Sequence, residues 1–261
     1  MPDLTLWNGD CLEIMKQIAD KSIDLIICDL PYGCLGADRR SKSVKSNMTA
    51  TTTATTYGNC LWDIKINLEE FWKQIKRIRK SDHSPTIHFC TTKFGYELIQ
   101  SNPDEFRYDL VWDKQRGVSF LSANKMPMRS HEMIYVFSKA GAFYERKDIE
   151  GIPYISKGHS GSNTYSKPPQ RGETKIINTR CVLSVIQNKT SSAKGGHPTE
   201  KPESLYRFLI ERYCPVDGTV LDPTFGSGNS VFTAFSMGLS AIGIEKDDTF
   251  FKKAEERLNK L

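Results

Sequence analysis

The chain has 261 residues, 38% of them hydrophobic and 26% charged, which suits one large domain or one domain with an insertion. Its net charge is +5, a mild basicity that admits a nucleic-acid partner without requiring one. No run approaches the roughly 20 apolar residues that span a bilayer, and the acidic start M-P-D-L-T-L-W-N-G-D lacks the basic head and apolar core of a signal peptide. The expected location is therefore the cytoplasm. Seven cysteines contain no C-x-x-C pair, so reduced, largely buried thiols are expected and no metal site.

Apolar runs and helical patterns alternate in the βαβ manner, which predicts an α/β fold. A short strand over 4–7 precedes the turn Asn8-Gly9-Asp10. A helix is predicted over 11–20 and a strand over 23–28. Residues 34–60 have no steady apolar period, and a loop of that length calls for a function or for disorder. Its basic residues Arg39, Arg40, Lys42 and Lys45 could meet phosphates, and its Thr-rich part 47–57 could close over a ligand; a plain linker explains it equally well. A helix follows over 68–80, then a strand over 86–90, a helix over 93–101, and strands over 107–112 and 132–137. Between Lys139 and Gly196 the pattern dissolves. That stretch holds ten Lys/Arg against four Asp/Glu, a surplus larger than the chain's whole net charge. The last third is crisp: helix 202–213 with Pro202 in its first turn, strand 219–222, helix 230–238, strand 240–244 and helix 248–259.

T-V-L-D-P-T-F-G-S-G-N at 219–229 reads as strand, Gly-rich turn and helix start. Glycines let backbone approach a ligand, and free N–H groups at a helix start can meet negative charge. Glu245 stands at the tip of the next strand, where nucleotide-binding α/β folds place a carboxylate on ribose hydroxyls. The turn is not G-x-G-x-x-G, so a mononucleoside such as S-adenosylmethionine (AdoMet) fits better than a dinucleotide. A plain tight turn is the alternative. A second feature is C-D-L-P-Y-G-C at 28–34, directly after the apolar run 23–27: a carboxylate, a rigid proline and an aromatic at a strand end. Its plain alternative is a strand-ending turn with a surface tyrosine.

Together, D-L-P-Y-G and D-P-T-F-G-S-G-N resemble the amino-methyltransferases of DNA. G-D-C-L (9–12), W-D-K (112–114), R-S-H-E (129–132) and H-P-T-E-K-P (197–202) are similar to further segments of that family. The order, with the tetrapeptide first, a basic region next and the AdoMet turn last, resembles the β group of N6-adenine and N4-cytosine methyltransferases. The resemblance covers the chain apart from 34–60 and 139–196. It implies a Rossmann-like AdoMet-dependent sheet in circularly permuted order. The first nucleotide-binding strand would be 219–222, the second 240–244 and the third 4–7, so the two termini must lie side by side. Residues 1–138 would then form the catalytic half, 139–196 an inserted target-recognition region and 197–261 the AdoMet-binding half.

The resemblance also implies site residues. Asp29, Leu30, Pro31 and Tyr32 would be the catalytic tetrapeptide, with Leu30 standing where proline is usual. Asp10, Cys11, Asp29, Thr199, Lys201, Asp222, Pro223, Phe225, Gly226, Ser227, Gly228, Asn229, Glu245 and Lys246 would hold AdoMet, with Asp10 and Cys11 flanking its adenine. Asp10 also suits a helix N-cap. In the basic region Lys157, Arg171 and Arg180 would meet DNA; basic residues suit phosphates, while Asn163, Gln170, Arg171 and Arg180 could read base edges. A solvated insertion is the alternative there.

The implied partner is double-stranded DNA. The implied reaction puts the AdoMet methyl on adenine N6 after base flipping. The choice of adenine rests on aspartate opening the tetrapeptide, where the cytosine-N4 group more often has serine. Cytosine N4, RNA, a protein amide, or a non-catalytic DNA-binding partner with the same fold remain open at this point. A cytosine-C5 enzyme is disfavoured, because Cys214 precedes a proline rather than following one. His131-Glu132 lacks H-E-x-x-H and reads as structural. The family hints at homodimers, and the length leaves no room for a fused nuclease. The chain would act alone or with a cognate restriction endonuclease as a separate chain.

Overall fold

Strongly apolar segments set the architecture in the computed structural model, which describes residues 2–33, 65–118, 120–156, 175–190 and 200–260. The strands are β1 (Leu4–Asn8), β2 (Leu25–Cys28), β3 (Thr86–Cys90), β4 (Phe106–Val118), β5 (Arg129–Phe137), β6 (Ile149–Ser156), β7 (Lys175–Arg180), β8 (Val185–Gln187), β9 (Thr219–Asp222) and β10 (Ser240–Glu245). The helices are α1 (Cys11–Ile14), α2 (Leu68–Ile78), α3 (Thr92–Ser101), α4 (Glu203–Tyr213), α5 (Asn229–Ser236) and α6 (Asp248–Leu258). Among the described residues no helix is long and apolar enough to cross a membrane.

Eight strands form one sheet in the order β1-β10-β9-β2-β3-β5-β4-β8. The first five run parallel, β5 is antiparallel to β3 and to β4, and β8 is parallel to β4. The expected neighbourhood of the termini is present: Leu4 to Asn8 pair with Ala241 to Glu245. The parallel strands are apolar on both faces, as a doubly covered sheet requires. In β2, Leu25 and Ile27 join α4, α5 and α6 on one side, while Ile26 and Cys28 join α1, α2 and α3 on the other. The chain thus leaves β9 toward one face and β2 toward the other. Between them lies a topological switch point, where open α/β sheets bind ligands beyond the strand carboxyl ends.

Two segments are shorter than their apolar pattern suggests, and one arginine explains each. The helix expected over 11–20 tightens to a 3-10 turn at Met15–Gln17 and ends with Ile18 extended. There Arg77 donates to the Met15 and Ile18 carbonyls at 2.6 and 2.7 Å, satisfying groups a longer helix would have used. Helix α2 stops at Ile78 rather than 80. Arg79 turns to an extended conformation and forks onto the buried Glu105 carboxylate at 2.8 and 3.0 Å. At its other end, α2 is capped by Asn67, which accepts from the N–H groups of Glu69 and Glu70.

Contacts divide the chain into Met1–Glu145 with Val185–Leu261, and Arg146–Ser184. The second unit holds the two-stranded antiparallel sheet β6-β7, where the sequence suggested no regular element. Gly151 and Pro153 interrupt β6, and the register shifts between Glu150 and Tyr154, which blurs its alternation.

Candidate active site

Strand β2 delivers Asp29 and strand β9 delivers Asp222-Pro223 to the same edge of the sheet. The Thr224 hydroxyl donates to the Asp29 carbonyl at 3.2 Å and ties the two tips together. A cleft of about 690 Å³ opens there. Its wall brings together Asp10, Cys11, Asp29, Leu30, Pro31, Tyr32, Lys201, Pro223, Phe225, Gly226, Ser227, Glu245 and Lys246 from the sequence-derived set. That volume is in the range of pockets that enclose a small organic ligand.

Asp29 is the most engaged group. The Tyr32 hydroxyl donates to its Oδ1 at 2.6 Å, and the Lys201 ammonium donates to its Oδ2. Lys201 is buried and also stands 3.5 Å from the Glu132 carboxylate, which Lys114 binds on its other oxygen. Burial alone would lower the Lys201 pKa. Asp29 and Glu132 outweigh it and hold the lysine pKa above its ordinary value. Burial likewise opposes ionised Glu132, and the two lysines reverse the balance and lower its pKa. Burial, reinforced by Asp29, raises the Tyr32 pKa well above the usual value, so the phenol stays a donor. The Tyr32 ring lies 5.1 Å from that of Phe94. Leu30 is buried and packs with the α1–α3 side of the core.

The Gly-rich turn is held by carboxylates from below. Glu245 accepts from the Gly226 N–H at 2.8 Å and from the Asp247 N–H at 2.7 Å. Burial raises its pKa against those two donors. Gly226 has φ +53°, and a Cβ there would meet nothing within 4 Å. Its open side faces the cleft, so the backbone can approach a ligand. Gly228, with φ +81°, instead leaves room for the Phe232 ring. Asp10 caps α1 by accepting from the Leu12 N–H at 3.0 Å, and also pairs with Lys246 at 3.1 Å. Burial pushes the neighbouring Cys11 thiol up to about 12, leaving it an apolar wall rather than a nucleophile.

Three residues of the expected set stand behind the cleft rather than on its wall. Asp222 is buried and accepts from the Ser230 hydroxyl and, at 2.9 Å, from the Thr224 N–H. Burial raises its pKa to about 7. Gly228 shapes the turn, and the Asn229 amide donates to Glu200 at 2.6 Å and to the Lys201 carbonyl at 3.0 Å. Asn229 thereby fixes the segment that carries Lys201. Arg180 donates to the Thr179 and Ile152 carbonyls and stacks on Tyr154 at 4.1 Å, within the β6-β7 unit. Thr199, Arg39, Arg40, Lys42, Lys45, loop 47–57, Lys157, Asn163, Gln170 and Arg171 lie outside the described residues. Sequence reasoning missed Glu132 as a cleft residue, along with Thr224, Tyr206 and Glu200.

Comparison with known proteins identifies the family. Residues 23–256 match the N6/N4 family model described as DNA methylase. The Type II methyltransferase M.HpaI of Haemophilus parainfluenzae is 40% identical, over 98% of this chain and 74% of its own length. M.HinfI of Haemophilus influenzae is 26% identical, over 98% and 68%. Among solved structures, the PvuII cytosine-N4-specific DNA methyltransferase superposes with a TM-score of 0.63 at 16% identity, over 98% of this chain and 86% of that one. The M1.HpyAVI–SAM complex gives 0.59 at 17%, over 98% and 100%. The fold is that of AdoMet-dependent methyltransferase structures, and the family match makes the chain a DNA methyltransferase. The chain belongs to the N6/N4 DNA methylase family.

Proposed function

We propose that this methyltransferase transfers the methyl of AdoMet to adenine N6 in duplex DNA, with the target base flipped into the cleft. The observation that carries the reading is the Asp29 carboxylate, presented at the β2 tip and held by Lys201 and Tyr32. The cofactor fits the residues present. The open side of Gly226, the carboxylates of Asp10 and Glu245, and the apolar walls of Cys11, Pro223 and Phe225 line one cleft. When bound, AdoMet supplies an electrophilic methyl on a sulfonium with a neutral thioether as leaving group.

An exocyclic amine is a poor nucleophile because its lone pair is delocalised into the ring. Asp29 Oδ1 and the Pro31 carbonyl can accept its two N–H groups and draw the nitrogen toward a tetrahedral shape. Positioning and electrostatics then carry the step. The target amine would claim Oδ1 from the Tyr32 hydroxyl, while Lys201 keeps Oδ2 in place. Freed from Asp29, the Tyr32 ring can stack on the flipped base. Held by Asp29 and Pro31, the nitrogen would present its lone pair to the methyl that bound AdoMet supplies. One N–H proton then leaves by way of Asp29 to water.

The basic stretch 139–196 is the proposed target-recognition region, supported by its ten Lys/Arg against four Asp/Glu. The test is direct. Pure protein, AdoMet and unmethylated duplex DNA are incubated, and the nucleosides are analysed by mass spectrometry. N6-methyladenine is expected. N4-methylcytosine would overturn the choice of base and keep the mechanism. No AdoMet binding at all would point to a non-catalytic DNA-binding protein.

A further inference from the structure

The antiparallel strands β4 and β5 do not end where the sheet ends. The last residue of β3, Cys90, is already opposite Met133, and Trp112 pairs with Glu132 on the cleft wall. After a register shift beyond Asp113, pairing resumes with Val118 opposite Arg129. Because β5 is antiparallel to β3, this extension projects past the carboxyl edge, the edge that carries Asp29 and the Gly-rich turn. The arm's tip is a single 3-10 turn, Phe120–Ser122, that offers large apolar side chains to solvent. Phe120 is 78% and Leu121 97% exposed, with Met126 beside them at 58%. Lone exposed apolar residues are ordinary, but a cluster at the end of a projecting arm marks an interaction surface.

The charge pattern selects the partner. From 114 through 131 the chain has four Lys/Arg and no Asp/Glu. Lys114 is committed to Glu132, whereas Arg116 and Lys125 are exposed near the tip. Apolar side chains flanked by unopposed cations suit a stacked polyanion: the rings and branches enter between bases and the cations meet phosphates.

We propose that the β4–β5 arm is a DNA-inserting wedge, with Phe120 and Leu121 entering the base stack beside the extruded nucleotide and Arg116 and Lys125 holding the flanking phosphates. The proposal rests on the base-flipping reading of the cleft. A base leaving the stack exposes its neighbours, and an inserted apolar side chain lowers that cost.

The protein carrying Phe120→Ser with Leu121→Ser tests it, since both side chains are exposed. Methylation of native plasmid DNA by this variant is expected to fall roughly ten- to hundredfold, with AdoMet affinity and melting temperature unchanged. In parallel, a photoreactive benzoylphenylalanine at position 121 should crosslink to duplex DNA. Full methylation by the double variant, or no crosslink from protein that binds DNA, overturns the proposal. So does a change from dimer to monomer in the variant, which would assign the tip to a second copy of the chain. Wild-type protein that leaves all DNA unmethylated would fail the functional reading instead, and the crosslink still reports on the arm.

Discussion

Lys201, on the segment that enters α4, donates its ammonium to the carboxylate of Asp29 at the tip of β2, 172 positions away in sequence. The lysine is buried, and its second carboxylate neighbour is Glu132, so the three groups share two negative charges and one positive, with Lys114 supplying the other. On the proposed reading, Lys201 and, through it, Glu132 position Asp29. Removing one partner of a buried ionic set costs about 3–5 kcal/mol, because the remaining charge is stranded. Lys201→Met should lower the melting temperature by roughly 10 °C and abolish methylation. Adding Glu132→Gln to it should restore much of the stability but not the activity, since Asp29 still lacks its donor. Thermal melts and nucleoside mass spectrometry read the two separately. A double variant that regains methylation would show that Lys201 does not position Asp29.

Tyr32 offers a finer cut, because its hydroxyl and its ring have different work. The hydroxyl occupies Asp29 Oδ1 in the free protein, while the ring is the proposed stacking platform. Tyr32→Phe keeps the ring and should leave methylation within a fewfold of wild type. Tyr32→Ala removes the platform and should cost about 1–3 kcal/mol in transition-state binding, or roughly 5- to 150-fold in kcat/KM. Equal losses in the two variants would mean that the hydroxyl, and not the ring, carries the contribution.

The two glycines of F-G-S-G should fail differently. Gly226 opens onto the cleft, so the methyl of Gly226→Ala enters ligand space and adds only the left-handed backbone penalty of about 1–2 kcal/mol. AdoMet affinity should drop about tenfold or more while the melting temperature falls only a few degrees. In Gly228→Ala the methyl lies 2.8 Å from the Phe232 ring at φ +81°, so stability should suffer more than in Gly226→Ala. Calorimetric titration with AdoMet beside thermal melts decides it. Unchanged affinity in Gly226→Ala would mean that the cofactor lies elsewhere.

Much of this site was legible because its chemistry is local. D-L-P-Y and D-P-T-F-G-S-G-N each sit on a short strand with its turn, and spacing alone put Glu245 at the next strand tip. The expected side-by-side termini followed from ordering three strands, and β1 does pair with β10. Glu132 was not legible as a cleft residue. Its place depends on β5 running antiparallel to β3, which brings the start of that strand, not its end, to the ligand edge. Strand direction leaves no mark in a run such as M-I-Y-V-F. The stop of α2 was hidden for a similar reason: Glu105, which draws Arg79 out of the helix, lies 26 residues away.

His88 presents a cost that the fold accepts. It is fully buried in β3, with both ring nitrogens unpartnered among the described residues. The rings of Phe71, Trp72 and Phe137 surround it at 5.2–5.6 Å. Burial lowers its pKa from the ordinary 6.5 to about 3. Between those values the unfolded chain binds a proton that the folded one refuses, so stability rises with pH across that window and is lost as pH falls. The slope is about 1.4 kcal/mol per pH unit well below 6.5. His88→Leu, close in volume and without a titrating group, should remove this slope. The stability of wild type relative to His88→Leu should thus decline by about 2–3 kcal/mol from pH 6.5 to 4.5. Urea unfolding of both proteins at several pH values gives the difference directly and cancels the carboxylates they share. Parallel curves would mean that the folded protein accommodates a charged imidazole at position 88, through a partner or through water.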